Sequence, residues 1–463
     1  MAAFVHEAAD EGYESRLSLF TVPPVETGVE HVYYKQFRPE ASVSGSTTLE
    51  FDIVNNSPDY IDINRMELEL MVQIKDDKGQ PIKSTDRVGL VNLPITSIFR
   101  QMDLSIQQQV VTTTVGNNFA YKAIMDTLLS DASSDSTSWM TLGGFFKDTR
   151  GQMDEYDPKR DSNLGLSERS ECTKEGKKWM LKSRLMMDFA QQPKPLLNGV
   201  PINIKLNPAL DRFRLMYTDP SQAVIDLPQT ASAARKNGQS TTSAVPQFYT
   251  LDITSANLVV PMIKLNPSLL MRHNESLAKQ MALYPFTRSD IRVFNIPAQG
   301  QVWIQDNVFQ DMIPKRLVVG LVSAKAYAGD PQKNPYNFRH YNLNYLSFSV
   351  NGQIVTGTAL QPVFDQDHYV NEYAALFKWL TDSSDRRRTP PNISYKEMKS
   401  GYSLFVIDLE KSKGEDFTNP IRKGQSELCL RFKEQLPENI TVIAYGIFDS
   451  MLRIDQARNV IVG

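Results

Sequence analysis

The two halves of this chain contain the same sequence blocks in the same order. The segment "DLSIQQQVVTT" (103–113) aligns with "SFSVNGQIVTG" (347–357) when Leu104 is paired with Phe348, and the offset of 244 residues exceeds half of the 463-residue chain. Four positions are identical in this alignment: Ser105 and Ser349, Gln109 and Gln353, Val111 and Val355, and Thr112 and Thr356. The spacing leaves two possibilities, a local hairpin that recurs by chance or a duplicated domain.

A helix-like segment follows this block in both halves. Apolar residues at helical spacing form one face of each segment: Tyr121, Ile124, Met125, Leu128 and Leu129 in the first, and Tyr373, Leu376, Phe377 and Leu380 in the second. Such spacing is typical of an amphipathic helix, and Asn117 or Asn118 can serve as the N-cap of the first one. Each half is therefore predicted to contain a hairpin followed by a helix.

Strand-like blocks also pair between the halves. The pairs are "RMELELMV" (65–72) with "RLVVGLVS" (316–323), "WMLKSRLMMDF" (179–189) with "GYSLFVIDL" (401–409), "NGVPINIKL" (198–206) with "KGQSELCLRF" (423–432), and "YTLDITSANLVVPMI" (249–263) with "ITVIAYGIFDSMLRI" (440–454). Within the third pair, Gly199 aligns with Gly424 and Lys205 with Arg431. Blocks in one shared order indicate an internal duplication. The alternative is two unrelated β domains with generic strand patterning.

The strand pattern predicts the fold class. The strands are short, numerous and separated by turn signals, and they rarely alternate with helices, which argues against a parallel βαβ sheet. About eight strands in each half predict an all-β fold of two tandem eight-stranded antiparallel jelly rolls with a few short helices. We expect an N-terminal arm (1–40), a first jelly roll (41–265), a linker helix (266–282) and a second jelly roll (283–463).

An even number of strands also predicts where the chain ends lie. Successive antiparallel strands reverse direction, so eight of them bring the entry and the exit of a roll to the same end. We therefore expect both termini and the linker at one end of the molecule. The long polar insertions, 148–177 and 217–247, are expected at the other end.

The two hairpin turns differ in sequence. Asn351 and Gly352 both accept the positive φ that a two-residue hairpin turn requires. The first half has Gln107 and Gln108 at these places. Because glutamine is poor at positive φ, we expect the first hairpin to differ in turn type or loop length.

Composition and charge exclude several classes of function. A net charge of −3 gives no electrostatic basis for a dedicated nucleic-acid binder. The two cysteines, Cys172 and Cys429, cannot form a disulfide framework or a cysteine-based metal cage. The N-terminal sequence lacks the features of a secretion signal, and no apolar run approaches the roughly 18 residues of a membrane span. We expect a soluble protein made inside the cell.

Residues with catalytic chemistry are scattered along the chain. The five histidines form no HxH or HExxH pair, and no nucleotide-binding or hydrolase motif occurs, so we expect no metal and no cofactor. His340 is expected to be an ordinary residue at a strand edge.

Two carboxylates that flank a sugar would be the main enzymatic possibility on a β-sandwich. Asp365 and Asp367 form one close pair in sequence, and Asp131 and Asp135 form another. Both pairs lie in polar segments, where a solvated or turn-forming role is expected. Two further aspartates at equivalent strand ends are also expected to form turns: Asp188 and Asp408.

One concentrated basic run occurs in "DRRRTPP" (385–391). It contains Arg386, Arg387 and Arg388 and follows the second predicted helix. A charge run of this kind usually forms a solvated loop. The functional alternative is a contact with nucleic-acid phosphates that does not depend on base sequence.

Tandem jelly rolls without a plausible active site resemble the double jelly-roll major capsid proteins of DNA viruses. The segment 312–355 is most similar to the hexon-like group of Polinton/Maverick elements, adintoviruses and adomaviruses. The matching residues are Pro314, Lys315 and Arg316 before "VVGLV", then "KNPYNF" (333–338) and "SFSVNGQ" (347–353). The segment "LSLFTVPPVETGVE" (17–30) is similar to one ahead of the first roll in this group. The segments 131–178 and 210–247 carry little of the resemblance.

The resemblance implies a structural protein of the virion and no enzyme. Homotrimers of such chains form pseudo-hexagonal capsomers that tile an icosahedral shell around a DNA genome, with the loops outward and the termini inward. The implied partners are other copies of the chain, penton and minor capsid proteins, and weakly the genomic DNA, through Arg386, Arg387 and Arg388 on the inner surface. Synthesis in the host cytoplasm and assembly in the nucleus are implied, without a membrane span. Segment 1–40 would contact neighbouring subunits or remain a disordered tail.

Two alternatives come from other functional classes. A glycan hydrolase or amidase can also consist of tandem sandwiches, but such enzymes often carry a signal peptide and need a buried carboxylate pair. A lectin-like viral spike is the second alternative. Duplication of a whole domain and the "KNPYNF" match favour the shell protein.

Overall fold

A computed structural model gives the structure of the chain. It describes residues 19–20, 22, 25–43, 47–112, 118–130, 139–160, 162–218, 248–355, 359–380, 391–410 and 422–463.

The described residues form 22 strands, eleven in each half. The first half contains β1 (Val29–Phe37), β2 (Leu49–Ile53), β3 (Tyr60–Ile61), β4 (Glu67–Asp76), β5 (Val88–Leu90), β6 (Phe99–Ile106), β7 (Gln109–Val110), β8 (Trp179–Arg184), β9 (Ile202–Pro208), β10 (Leu215–Tyr217) and β11 (Tyr249–Leu265). The second half contains β12 (Ala282–Ile296), β13 (Val302–Asp306), β14 (Met312–Ile313), β15 (Arg316–Ser323), β16 (Leu343–Val350), β17 (Gln353–Ile354), β18 (Leu404–Asp408), β19 (Arg422–Lys423), β20 (Ser426–Phe432), β21 (Ile440–Ile454) and β22 (Val460–Val462).

The helices are short. They are α1 (Pro94–Ser97), α2 (Phe119–Leu129), α3 (Leu164–Thr173), α4 (Asp211–Arg214), α5 (Pro267–Leu277), α6 (Ala324–Tyr327), α7 (Val370–Leu380) and α8 (Tyr395–Met398). Single 3-10 turns lie at Ile63–Arg65, Pro158–Arg160, Lys174–Gly176, Phe189–Gln191 and Phe364–Gln366. In the described part of the chain, no helix has both the length and the apolar character needed to cross a membrane.

The strand order is the same in both halves. Sheet I (β1-β11-β4-β8) and sheet II (β2-β9-β6-β7) form the first half, and sheet III (β12-β21-β15-β18) and sheet IV (β13-β20-β16-β17) form the second. With the eight strands of each half numbered in chain order, both halves read 1-8-3-6 and 2-7-4-5. The pairings are antiparallel. Two eight-stranded jelly rolls with one topology confirm the predicted fold and the internal duplication.

The register of the strands corrects one predicted correspondence between the halves. Lys205 lies opposite Asp103, whereas Cys429 lies opposite Ser347. Since Asp103 and Ser347 align with each other, Lys205 corresponds to Cys429. The predicted match of Lys205 with Arg431 is therefore wrong by two residues, which is the spacing of neighbouring side chains on one face of a strand.

Strand β1 lies inside the range 1–40 that the sequence assigned to an arm. Its residues pair with β11 from Val29 opposite Leu265 to Phe37 opposite Leu258. This placement corrects the arm boundary, because the segment that begins at Val29 is an edge strand of sheet I. Helix α5 lies within the range expected for the linker.

The register also shows where the chain ends lie. Val29 at the start of β1 is opposite Leu265, and Ala282 at the start of β12 is opposite Ile454, so the start of β1, the linker and the end of β21 share one end of the molecule. We call this end the base, and it agrees with the prediction from strand number. The insertion 148–177 is followed by β8, which begins at Trp179. Trp179 lies opposite Val72, so the insertion joins β8 at the end of the strand that points away from the base. Residues 219–247 of the other insertion lie outside the described residues.

The two hairpin turns have the same geometry, contrary to the prediction. Gln107 and Gln108 have φ values of 51° and 64°, and Asn351 and Gly352 have values of 51° and 77°. Both turns close two-residue loops, with Ile106 opposite Gln109 and Val350 opposite Gln353. The twist of the flanking strands imposes this turn, and the glutamines adopt the left-handed region at a conformational cost.

Substitutions at the second turn position of the two hairpins are expected to change the free energy of unfolding in opposite directions, with a gain in the first hairpin and a loss in the second. Gln108→Gly should raise the free energy of unfolding by about 1 kcal/mol, because glycine has no Cβ to oppose a positive φ. Gly352→Ala should lower it by about 1 kcal/mol through conformation alone, since nothing lies within 4 Å of the Cβ position. Urea unfolding of both variants checks the prediction. Two changes of the same sign would contradict it.

Candidate functional site: the junction between the two jelly rolls

The first roll packs against the outward face of sheet III. Helix α2 of the first roll crosses β15, and the Met125 side chain reaches within 3.1 Å of the Cβ position of Gly320. Phe338 lies 2.8 Å from the same position. A side chain at Gly320 would therefore clash first with Phe338 of the same roll and would press on Met125 of the first roll, so this close packing favours glycine.

Strand β15 is apolar along most of its length because both faces of sheet III are covered at this strand. Residues 317–323, "LVVGLVS", are buried without alternation, whereas β4 alternates between buried leucines and partly exposed Glu67 and Glu69. A strand that is covered on both sides reads as a continuous apolar run. The difference between these two corresponding segments was visible in the sequence, and it is the signal that could have located the junction.

An aromatic cluster fills the middle of the junction. Its members are Tyr121 and Phe213 from the first roll and Tyr327, Tyr336 and Phe338 from the second. The Tyr121 ring lies 5.6 Å from Tyr327 and 5.8 Å from Tyr336, and the latter contact is edge-to-face. The Tyr327 hydroxyl donates to Asn118 Oδ1 over 2.9 Å. Asn118 is the N-cap residue of α2 as predicted, but its side chain bonds the other roll instead of capping the helix.

The "KNPYNF" motif lies in this junction. Asn334 and Phe338 are fully buried and Tyr336 is 2% exposed. The sequence resemblance therefore rests on residues that hold the two rolls together.

A buried ionic cluster lies on the base side of the aromatic cluster. Lys122 Nζ contacts Asp126 Oδ2 at 2.8 Å, Asp188 Oδ1 at 3.2 Å and the Met186 carbonyl at 2.9 Å. Burial alone lowers the pKa of Lys122, but the two carboxylates outweigh it and raise the pKa above its ordinary value. The Lys122 side chain is 2% exposed and carries its positive charge here because both carboxylates surround it.

The ionic cluster reaches across to the second roll. The Tyr445 hydroxyl of β21 donates to Asp126 Oδ1 over 2.7 Å. The backbone N–H of Ser289 in β12 donates to Asp188 Oδ2 over 2.8 Å. Because β12 is an edge strand of sheet III, Asp188 satisfies a donor that would otherwise face outward.

Asp188 forms a turn as predicted, because its carbonyl accepts the backbone N–H of Gln191 over 3.1 Å at the start of the 3-10 turn Phe189–Gln191. Its side chain has a further role that the sequence did not indicate, since the carboxylate is buried and joins the two rolls. Its counterpart Asp408 accepts the backbone N–H of Glu410 over 3.2 Å, as expected for a turn-forming aspartate.

Away from the base, the insertion of the first roll contacts loops of the second. Buried Asp148 accepts from Asn334 Nδ2 at 3.0 Å through its carboxylate and from the Tyr402 hydroxyl at 2.7 Å through its carbonyl. Arg169 Nη2 donates to Asp148 Oδ1 over 2.7 Å. Lys147 Nζ lies 2.7 Å from Glu397 Oε2 on the second roll. The junction is thus polar at both ends and aromatic in the middle.

The structure separates the remaining predicted site residues from this junction. Asp365 forms a hydrogen-bonded ion pair with Lys433, which lowers the pKa of that carboxyl. Asp367 Oδ1 pairs with Lys399 at 2.5 Å. The side chains of Asp367 and Asp365 are 64% and 48% exposed, and each carboxylate is paired with a lysine.

The basic run falls outside the described part of the chain. No structural statement is therefore made for Arg386, Arg387 and Arg388, or for the pair Asp131 and Asp135. Among the described residues, no group of three or more metal-binding side chains is close enough to hold an ion.

His340 lies just before β16 and is half-buried. Its ring stacks on Phe364 at 4.0 Å, and its Nδ1 accepts the backbone N–H of Asn342 over 3.0 Å. Burial, with the positive charges of Lys399 and Arg339, lowers the pKa of His340 to about 4.

The unfolding free energy is expected to depend on this histidine in acid. Its pKa is about 4 in the folded chain and about 6.5 when unfolded, so its stabilising effect is complete above pH 6.5 and is lost as the pH falls to 4. We expect the wild type to lose about 2 kcal/mol more than His340→Gln over this interval. Denaturant titrations at several pH values measure the difference. His368→Gln, at an exposed position, is the control, and parallel profiles for wild type and His340→Gln would contradict the assignment.

Comparisons with known proteins show the same fold along the whole chain. The cryo-EM structure of the Sputnik virophage matches with a TM-score of 0.60 at 14% identity, covering 100% of this chain and 94% of that one. The mavirus major capsid protein matches with a TM-score of 0.54 at 10% identity, covering 100% and 97%. The PBCV-1 virus capsid matches with a TM-score of 0.55 at 11% identity, covering 96% and 99%. The TM-scores show a shared fold, and at sequence identities of 10–14% they show the fold alone.

A relative by sequence exists in an animal. An uncharacterized protein of Caenorhabditis elegans is 24% identical over 430 residues, which cover 89% of this chain and 92% of the relative. No protein-family model matches the chain.

Proposed function

We propose that this chain is a viral major capsid protein. The observation that carries the proposal is the fusion of two jelly rolls of identical topology, together with the similarity of the whole chain to the mavirus major capsid protein. Three such chains supply six similar rolls, enough for a pseudo-hexagonal capsomer with exact threefold symmetry. Capsomers of this kind tile an icosahedral shell that encloses a DNA genome.

The junction supports this function because a tile must keep its two rolls in one orientation. Hydrogen bonds at both ends of the junction and the aromatic cluster between them fix that orientation. A buried ionic cluster is specific in geometry, since a shifted junction would leave charges unpaired. The chain therefore enters assembly as one rigid two-roll unit.

The partners and setting follow from this role. Other copies of the chain form the trimer and then neighbouring capsomers, while penton and minor capsid proteins complete the shell. The role is non-enzymatic. The group of Polinton/Maverick elements, adintoviruses and adomaviruses is the proposed source, with synthesis in the cytoplasm and assembly in the nucleus. Arg386, Arg387 and Arg388 are proposed to touch DNA phosphates on the inner surface.

The oligomeric state tests the proposal. Size-exclusion chromatography with light scattering should give a particle three times the 52.4 kDa mass of the chain. Negative-stain microscopy of that peak should show hexagonal particles. A protein that stays monomeric at every concentration tested would overturn the capsomer.

A further inference from the structure

Exposed apolar side chains precede the first strand at the base. Leu19, Phe20, Val22 and Val25 are exposed by 78%, 98%, 83% and 78%. We call these four residues the apolar strap. Single exposed apolar residues are ordinary on a protein surface, but four within seven positions form a patch that commonly marks a contact with another molecule.

The strap is anchored beside the linker helix. The backbone N–H of Asn266, the N-cap of α5, donates to the Gly28 carbonyl over 2.9 Å. The Cβ position of Gly28 lies 3.0 Å from the Leu269 side chain. The strap therefore leaves the molecule at the base, next to the first turn of α5.

An apolar groove lies at the other end of α5. It has a volume of about 310 Å³ and lies between the last turn of the helix and the start of β12. Its lining includes Tyr60, His273, Leu277, Met281, Leu283 and Tyr284. Met281 and Leu283 are 43% and 51% exposed, so this groove is uncovered in the single chain. Its size is within the range of pockets that bury apolar groups.

The lining of the groove and the sequence that precedes the strap differ in charge. The described lining of the groove contains the cation Lys194 and no carboxylate. The sequence before the strap contains four acidic residues and one arginine: Glu7, Asp10, Glu11, Glu14 and Arg16. A segment that brings apolar side chains into the groove would also bring negative charge to its cationic rim.

We propose that the apolar strap of one copy docks into the groove under α5 of a second copy. The inference rests on the proposed capsid function and names the contact that would link subunits at the base. The folded chain leaves its own strap and its own groove exposed together. Since strap and groove are different surfaces, the contact is heterologous: each copy fills the groove of the next, and the threefold rotation of the proposed capsomer would close these contacts into a ring.

Disulfide trapping tests the docking. The variant Phe20→Cys with Leu283→Cys should give covalent multimers under oxidation, seen on non-reducing gels and absent from either single variant. Phe20→Cys with Leu164→Cys is the control, because Leu164 is exposed on the insertion away from the base. A cross-link confined within one chain would overturn the second copy as the occupant. Trimers that form without any cross-link would overturn the docking and leave the capsid function standing, whereas strictly monomeric protein would overturn both.

A charge in the strap gives a second readout that does not depend on trapping. Phe20→Glu leaves folding intact because the ring touches little of its own chain at 98% exposure. It should raise the protein concentration needed for assembly by about tenfold, since the groove would lose an apolar group. Phe20→Leu should retain assembly. Equal assembly of Phe20→Glu and wild type would contradict the proposal.

Discussion

Replacing Arg169 with alanine is expected to lower the free energy of unfolding by about 3 to 5 kcal/mol, because the change leaves a buried carboxylate without its cation. Arg169 is fully buried, and Asp148 is 2% exposed. The guanidinium also donates to the carbonyls of Leu90 and Phe146 over 2.8 and 2.6 Å. Both carbonyls would lose a charged donor. Urea unfolding of Arg169→Ala measures the loss.

An exposed arginine nearby provides the matched control. The Arg160 side chain is 63% exposed and lies 3.4 Å from Glu155. Since exposed ion pairs add little, Arg160→Ala should cost less than about 1 kcal/mol. A loss below about 1 kcal/mol for Arg169→Ala as well would contradict the structural importance of the pair with Asp148.

Replacing Lys122 with methionine is expected to cost about 3 to 5 kcal/mol at pH 7. The methionine fills the space, but it leaves Asp126 and Asp188 close together in a buried place without a cation. Burial and mutual repulsion disfavour two charged carboxylates at this place once the cation is gone. The cost is therefore expected to be larger at neutral pH than in acid, because protonation of a carboxyl removes the uncompensated negative charge.

Denaturant unfolding at pH 7 and pH 4.5 separates this effect from lost packing. Lys122→Met combined with Asp188→Asn should recover part of the stability at pH 7, because one uncompensated charge is gone. Lys182→Met is the control, since the Lys182 side chain is 34% exposed beside Glu67 and Glu69. A cost for Lys122→Met that is the same at both pH values would contradict a buried charge cluster.

Most of the fold could be predicted from local sequence patterns. Alternation in the strands, the helical spacing after each hairpin and the repeated order of blocks all depend on residues near one another in sequence. Those features predicted both jelly rolls, the helices α2, α5 and α7, and the common end for termini and linker. The arm boundary was wrong because β1 is an edge strand with little apolar alternation, and its strand character depends on pairing with β11.

The contacts of the junction could not be predicted from local sequence patterns. Asp188 follows a strand and resembles a turn residue, but its partner Ser289 lies 101 positions further along the chain. The prediction that the turn at Gln107 and Gln108 would differ from its counterpart was wrong for a related reason. Intrinsic preference disfavoured positive φ at both glutamines, and the twist of the packed strands overrode that preference.

The outward faces of sheets I and III differ in polarity, and this difference separates contacts that form within one chain from contacts that form between chains. In sheet III, the first roll covers the continuous apolar run of β15 as soon as the chain folds. Sheet I presents an ionic face, with Lys182 between Glu67 and Glu69 at 2.9 and 3.0 Å. In the proposed capsomer, the contacts between rolls of one chain form at any protein concentration. Contacts between chains obey mass action, so a charged outer surface keeps the single chain dissolved until enough copies have accumulated.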